Sequence, residues 1–316
     1  MKAFLTKVLL YAILLTAGAF SLNYILEKGF KKSEEGEYQT WNAIRSSKMS
    51  SDVIISGSSR AWVQISPEIL DSVLHIDSYN LGIEGYYFSM QYVRFKLFEK
   101  YNKKPRLIIQ NVDFISTFYR REDSFNKTQF FPYLHEDLIK DELKTIFSKS
   151  ELYIPAMQYH SEYLTILHGL SECFNWKHYL SENYKGYCGQ ERTWDGSLLE
   201  AILSKDSIVI NKKLEIVELF DTYLNYCKGN DIQVILVFTP QYIKATEFTK
   251  NWDKEMQVYH DFSKKYDIPF LDYSHDPICY DTTYFYNAMH LNKKGAELFS
   301  LKLANDIKEQ NLYKKP

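Results

Sequence analysis

A short serine-rich turn and a distant histidine are the residues whose types and spacing suit covalent chemistry. Ile55-Ser56-Gly57-Ser58-Ser59-Arg60 sets two hydroxyls on a tight turn directly after a β-branched run. Where a buried strand meets solvent, Gly57 permits the sharp turn and close approach of a substrate, and Ser59 points its oxygen outward as a nucleophile. Gly-Ser-Ser is also an ordinary turn composition, so the pattern needs partners. A serine needs a base, and His290 sits in Asn287-Ala-Met-His290-Leu-Asn-Lys-Lys-Gly295, which reads as a loop leading into the last helix. The other histidines have no paired spacing, and neither H-E-x-x-H nor C-x-x-C is present, so no metal and no cofactor is expected.

Two further turns are expected beside Ser59. One is Asn80-Leu81-Gly82-Ile83-Glu84-Gly85 and the other Gln110-Asn111-Val112-Asp113. The main-chain N–H groups of Ser59 and Gly85, with the side-chain amide of Asn111, are candidate donors to a tetrahedral oxyanion; one such donor contributes roughly 3 kcal/mol in other hydrolases. Asn111 also suits a plain strand-end cap. Arg60, next to the serine, has the forked donors to hold an anionic sugar or a carboxylate, or is a plain exposed structural residue. Trp194 and Asp195 can stack on and hydrogen-bond a pyranose, or simply pack a loop.

The elements that must position these residues follow from the periodicity. Short runs at Asp52–Ser56, His75–Leu81, Arg106–Gln110, Gln233–Phe238 and Ile268–Asp272 alternate with helical periods, which predicts a parallel sheet. Val53–Ile55, Leu107–Ile109 and Val234–Phe238 are continuously apolar, as strands buried on both faces are. Ser66-Pro67 marks a helix start, Leu214, Val217, Phe220 and Leu224 lie on one stripe ended by Gly229, and Asn292 caps a last helix with Ala296, Phe299, Leu303 and Ile307 at helical spacing. Ligands of open parallel sheets bind beyond the carboxyl ends of the strands, so both candidate segments fall at one rim. From about 114 to 206 the rhythm breaks into aromatic, helix-prone pieces, read as an insertion over the sheet edge or as a small helical domain.

Ahead of this region, Val8–Leu26 is nineteen residues without a charge, matching the roughly 20 that cross a bilayer as a helix. An uncleaved anchor fits the length; a cleaved signal peptide competes through Ala17-Gly18-Ala19. The expected organisation is a leader over 1–7, an anchor over 8–26, a charged, Ser-rich tether over 27–51 and a globular domain over 52–316. Lysines flank the span on both sides, so they do not orient it, but the short leader suits an anchor that exports the rest of the chain. Cys173 and Cys188 either close a loop of about 15 residues or stay free. With 38 Lys+Arg against 40 Asp+Glu, the formal charge of −2 excludes a basic nucleic-acid binder, and 45% apolar residues exclude a disordered chain.

Gly-Ser-Ser after strand one, Asn-Leu-Gly-Ile-Glu-Gly after strand two and Asn-Ala-Met-His-Leu-Asn-Lys-Lys-Gly-Ala before the last helix together resemble the SGNH/GDSL hydrolase superfamily. The resemblance covers roughly 51–85, 106–115 and 232–307, and is greatest to its membrane-tethered branch acting on envelope polymers, which includes alginate O-acetylation proteins and the D-alanine transfer protein. It implies a three-layer α/β/α sandwich with a five-stranded parallel sheet, plus the N-terminal transmembrane helix and the helical insertion. It implies Ser59 as nucleophile, His290 as general base, Ser59, Gly85 and Asn111 as oxyanion donors, and Asn287 where the family usually has Asp. Ser58 replaces the usual acidic residue before the nucleophile, and Asp113, Asp276 and Asp281 are the carboxylates left to serve His290. The expected activity is an acyl-ester hydrolase or O-acyltransferase on envelope polysaccharide, most simply O-acetyl, outside the cytoplasm, the transferase drawing on a membrane acyl-donor protein. The alternative is a catalytically silent polysaccharide-binding or assembly protein.

Overall fold

The computed structural model describes residues 1–47, 49–118, 126–144, 146–160, 162–176, 183–204 and 207–313. They fall into two compact units, Met1–Asn42 with Glu122–Ser181, and Ala43–Arg121 with Glu182–Pro316.

The second unit is the expected sandwich. Its strands are β1 (Val53–Ser56), β2 (Ser78–Asn80), β3 (Leu107–Asn111), β4 (Gln233–Phe238) and β5 (Phe270–Asp272). They form one parallel sheet in the order β2-β1-β3-β4-β5. The register sets Ile55 between Asn80 and Ile109, and Asn111 against Val237, so β1 and β3 end side by side. Val53, Ile55, Leu107, Ile109, Ile235 and Val237 face a core closed by Leu70, Phe299, Leu303 and Ile307 from the helices Pro67–Leu74 and Lys293–Glu309. The alternate residues Ile54, Ile108 and Leu236 are equally buried. The helices Phe88–Tyr101, Leu214–Gly229 and Trp252–Tyr266 meet through their rings, Phe88 to Phe220 at 4.8 Å and Phe220 to Phe262 at 5.2 Å. A strand buried on both faces has no place for an alternating polar pattern, which is why these runs are continuous.

Two local expectations are corrected. The buried face of Leu214–Gly229 is Ile216, Phe220, Tyr223, Leu224 and Cys227, while Leu214 is exposed; Ile216, a tyrosine and a cysteine join Phe220 and Leu224 on the face where Leu214 and Val217 were expected. The segment around His290 is not an open loop. β6 (Phe285–Asn287) and β7 (His290–Leu291) form an antiparallel two-stranded ribbon, closed by the Asn287 side chain accepting from the Met289 N–H at 3.0 Å.

In the first unit one helix runs from Lys2 to Phe30, apolar enough over an 18-residue window (mean hydropathy 1.9) to cross a membrane. Leu26, Gly29 and Phe30 at its end are buried, and Gly29 lies so close to Gly169 that a side chain on either would strike the other helix, Tyr163–Phe174. The expected tether is not an extended linker. Its first residues continue the long helix, and Gly36–Arg45 is helical with Tyr38 and Trp41 buried, Tyr38 stacking on Phe30 at 4.5 Å. Within the expected insertion, the 3-10 turn Lys127–Tyr133 and the helices from Asp137 to Phe174 belong to this unit, whereas the helix Phe114–Phe118 and residues 183–204 belong to the sheet unit. All four cysteines are free.

Candidate active site

Gly57 leaves β1 with φ of +152°, a conformation L side chains avoid, and a Cβ there would lie 2.8 Å from both Ala61 Cβ and Asn111 Cβ. That turn starts the helix Ser59–Gln64, with Ser58 as N-cap accepting from the Arg60 N–H. Asn80, at the end of β2, fixes this helix from below. Its amino group donates to the carbonyls of Ala61 (2.7 Å) and Ile65 (2.8 Å), and its Oδ1 accepts from the Gly82 N–H.

The helix start presents Ser59 to the ribbon. Ser59 Oγ lies 2.8 Å from His290 Nε2, and His290 Nδ1 lies 2.9 Å from Asn287 Oδ1. The hydrogens follow from one backbone group. Met289 N–H can only donate, so the Asn287 atom it meets is the carbonyl oxygen. Nδ1 of His290 therefore donates to that same oxygen, Nε2 carries the lone pair, and Ser59 donates its O–H to Nε2. This is the arrangement a base needs to take the serine proton.

The ring is held from several directions. Tyr286 stacks on it (5.3 Å between centroids, 6° between planes), and Arg192 lies over Tyr286. The Tyr242 N–H donates to the carbonyl of Ala288, and Gln64 to that of Met289. Burial, with the Arg60 charge nearby, pushes the His290 imidazole down to about 4 against the opposing pull of Asp113. It is therefore neutral, in its base form, from weakly acid pH upward.

The other predicted residues divide. Ser59 and Gly85 line a cavity of about 240 Å³ with His290, and the backbone N–H of neither is committed to an acceptor among the described residues. Asn111 is corrected: its amino group donates to the Val237 carbonyl and to Thr239 Oγ1, at 3.2 Å each, so it ties β3 to β4 and has no hydrogen left for an oxyanion. Arg60 is not an exposed arm either. It is buried, donates to Thr239 and to Gln241 Oε1 (3.1 Å), and lies over the Phe238 ring, so its fork is spent inside the fold. Burial lowers its pKa, and the neighbouring Asp113 partly restores it. Trp194 packs edge-on against Tyr242, and Asp195 accepts from the Ser197 N–H; neither lines the cavity that holds Ser59.

Among the carboxylates, Asp276 and Asp281 cap 3-10 turns, accepting from Ile278 N–H and Thr283 N–H. Asp113 is buried and accepts the hydroxyl of Ser58 at 2.7 Å. Residue 58, which replaces an acidic residue in the resemblance, thus binds one. Sequence reasoning missed Tyr286 and the apolar wall that Phe114, Ile115, Leu198, Ile208, Phe248 and Trp252 build beside His290. Tyr286 had a weak signal, as the strand neighbour of Asn287; the wall is gathered from four separated segments and had none.

No family model and no curated protein matches this sequence. Among solved structures, the chain is similar to a GDSL-like lipase from Bacteroides thetaiotaomicron (15% identity, 86% of this chain and 96% of that chain covered, TM-score 0.37). It is similar to a protein assigned as an acylhydrolase from Bacteroides fragilis (16%, 80% and 86%, TM-score 0.32). A third is assigned to the G-D-S-L lipolytic family, from Desulfitobacterium hafniense (14%, 80% and 97%, TM-score 0.37). The functional reading rests on the geometry of Ser59, His290 and Asn287 rather than on this distant likeness.

Proposed function

We propose that this chain is a membrane-anchored serine acyl-ester hydrolase or O-acyltransferase acting on acyl esters of envelope polysaccharide. The carrying observation is the hydrogen-bonded series from Ser59 Oγ through His290 to Asn287 Oδ1. His290 Nε2 takes the hydroxyl proton as Ser59 Oγ bonds to the ester carbonyl carbon. The oxyanion meets the N–H groups of Ser59 and Gly85. As the carbon–oxygen bond to the alcohol breaks, the imidazolium returns the proton to the leaving oxygen. Water, or a sugar hydroxyl, then attacks the acyl-serine by the same steps in reverse; the first outcome is an esterase, the second a transferase.

Asn287 orients the ring and fixes its tautomer but gives it no charge, unlike the carboxylate of a Ser-His-Asp site. That difference is also what favours the second reading, a silent module that binds polysaccharide. One experiment separates the two: incubation with an activated acetyl ester followed by peptide mass spectrometry. The enzyme reading expects acetyl on Ser59, lost in Ser59→Ala and in His290→Ala. An unlabelled Ser59 in the folded wild-type chain leaves the binding module.

A further inference from the structure

Beside the imidazole lies a second cavity, of about 380 Å³, that shares Ile115, Met289 and His290 with the cavity holding Ser59. Its wall is mainly Phe114, Ile115, Leu198, Ile208, Phe248 and Trp252. The polar groups there are few and mostly engaged. Gln241 accepts from Arg60 and donates to Thr246, Thr249 donates to the Ala245 carbonyl, and the Asn287 oxygen serves Met289 and His290. A pyranose buried there would leave hydroxyls without partners, whereas a hydrocarbon chain leaves none. An acetyl group would occupy little of it. We propose that this cavity receives an aliphatic chain of several carbons carried by the ester that Ser59 attacks; this rests on the acyl-transfer reading and narrows its substrate class.

The chain can belong to the acyl group or to the alcohol, and two ester series tell them apart: p-nitrophenyl esters from acetyl to octanoyl, and alkyl acetates from methyl to octyl. In the series whose chain enters the cavity, kcat/KM rises roughly fourfold per added methylene until the space is filled. Ala201→Phe, which narrows the cavity, lowers the octanoyl-to-acetyl or octyl-to-methyl ratio at least tenfold. Rates that stay flat or fall with length in both series, while Ser59 still acquires acetyl, overturn the aliphatic cavity and leave acyl transfer standing. Failure of every ester to label Ser59 sinks acyl transfer itself.

Independently, the Tyr163–Phe174 helix is built inside out. Gly169, Ser171 and Glu172 are buried, while Tyr163 (69%), Leu164 (67%), Leu167 and Phe174 are exposed, with Trp176 just beyond. A helix bathed in water shows the opposite polarity. Its Gly169 packs on the final turns of the Lys2–Phe30 helix, so this face continues an apolar surface already suited to a bilayer. Tyr and Trp are residues that sit at the membrane boundary, and Lys32, whose ammonium donates to the Cys173 carbonyl, stands nearby to meet an anionic headgroup. We infer that the Tyr163–Phe174 helix lies in the interfacial layer of the membrane, its apolar face among the lipid chains. This rests on the anchor reading, which recovery of the chain from carbonate-washed membranes checks separately.

The full chain with Cys173 and Cys188 changed to serine, carrying an environment-sensitive fluorophore at Leu167→Cys or Leu164→Cys, is placed in phosphatidylcholine–phosphatidylglycerol nanodiscs. Doxyl groups high on the lipid chains are expected to quench both labels by at least half, and aqueous iodide to have little effect. Iodide quenching without lipid quenching at both sites, or protection found only in discs holding two copies, overturns the assignment, the latter in favour of a second chain.

Discussion

At Asn287 the imidazole of His290 meets an amide oxygen where a carboxylate would add charge, and Asn287→Asp isolates that difference. With the imidazole held down to about 4, wild-type acylation is expected to rise through that pH and stay level to neutrality, because only the neutral ring accepts the serine proton. The aspartate moves this acid limb upward and keeps or raises turnover; a large loss in a stopped-flow pH profile counts against Asn287 as the orienting group. The same shift links to stability. Unfolded, the ring titrates near 6.5, so between about 4 and 6.5 the unfolded chain binds the extra proton and stability rises with pH. Urea midpoints across that window should show this slope, and His290→Phe should lose its share of it. At Ser58 the expectation differs: Ser58→Ala strips a buried carboxylate of its 2.7 Å donor and costs about 1–3 kcal/mol in urea unfolding. Of these placements, the meeting of Ser59 with His290 and Asn287 was legible because Ser59 follows the recognisable first strand and the other two lie just ahead of the recognisable last helix. Arg60 and Asn111 were misplaced because sequence shows which donors a side chain has, not which acceptors β4 and the segment just after it already offer them.

Between elements, the turn after β1 aims Ser59 at the ribbon. Gly57→Ala forces a side chain into a backbone it disfavours and against Ala61 and Asn111, costing at least about 2 kcal/mol and swinging the Ser59–Gln64 helix off the ribbon. Acyl labelling and thermal stability should fall together. The strands were legible because burial on both faces leaves uninterrupted aliphatic runs, as in Val53–Ile55 and Val234–Phe238. β6 and β7 were not: three and two residues long, they are pinned by an Asn side chain and by the Tyr242 N–H, contacts with no period to read.

For the molecule as a whole, the anchor expectation has a side as well as a depth. With residues 8–26 spanning, the sheet unit is expected outside the cytoplasm, and an alkaline phosphatase fused after Pro316 should be active in intact cells; an inactive phosphatase beside an active cytoplasmic reporter at the same position reverses the topology. The tether was misread because Tyr38 and Trp41 sit among Ser, Glu and Lys, and composition averages away two aromatic rings that a neighbouring helix can bury.

Ser59 and His290 are 231 positions apart in the chain. During synthesis the hydroxyl therefore emerges well ahead of the imidazole that it meets in the folded chain. On the acyl-transfer reading, a polypeptide interrupted between the two carries a serine without its base, and reactivity waits for the β6–β7 ribbon to form. For a chain threaded through a translocation pore amino end first, this ordering delays ester attack until that ribbon has crossed.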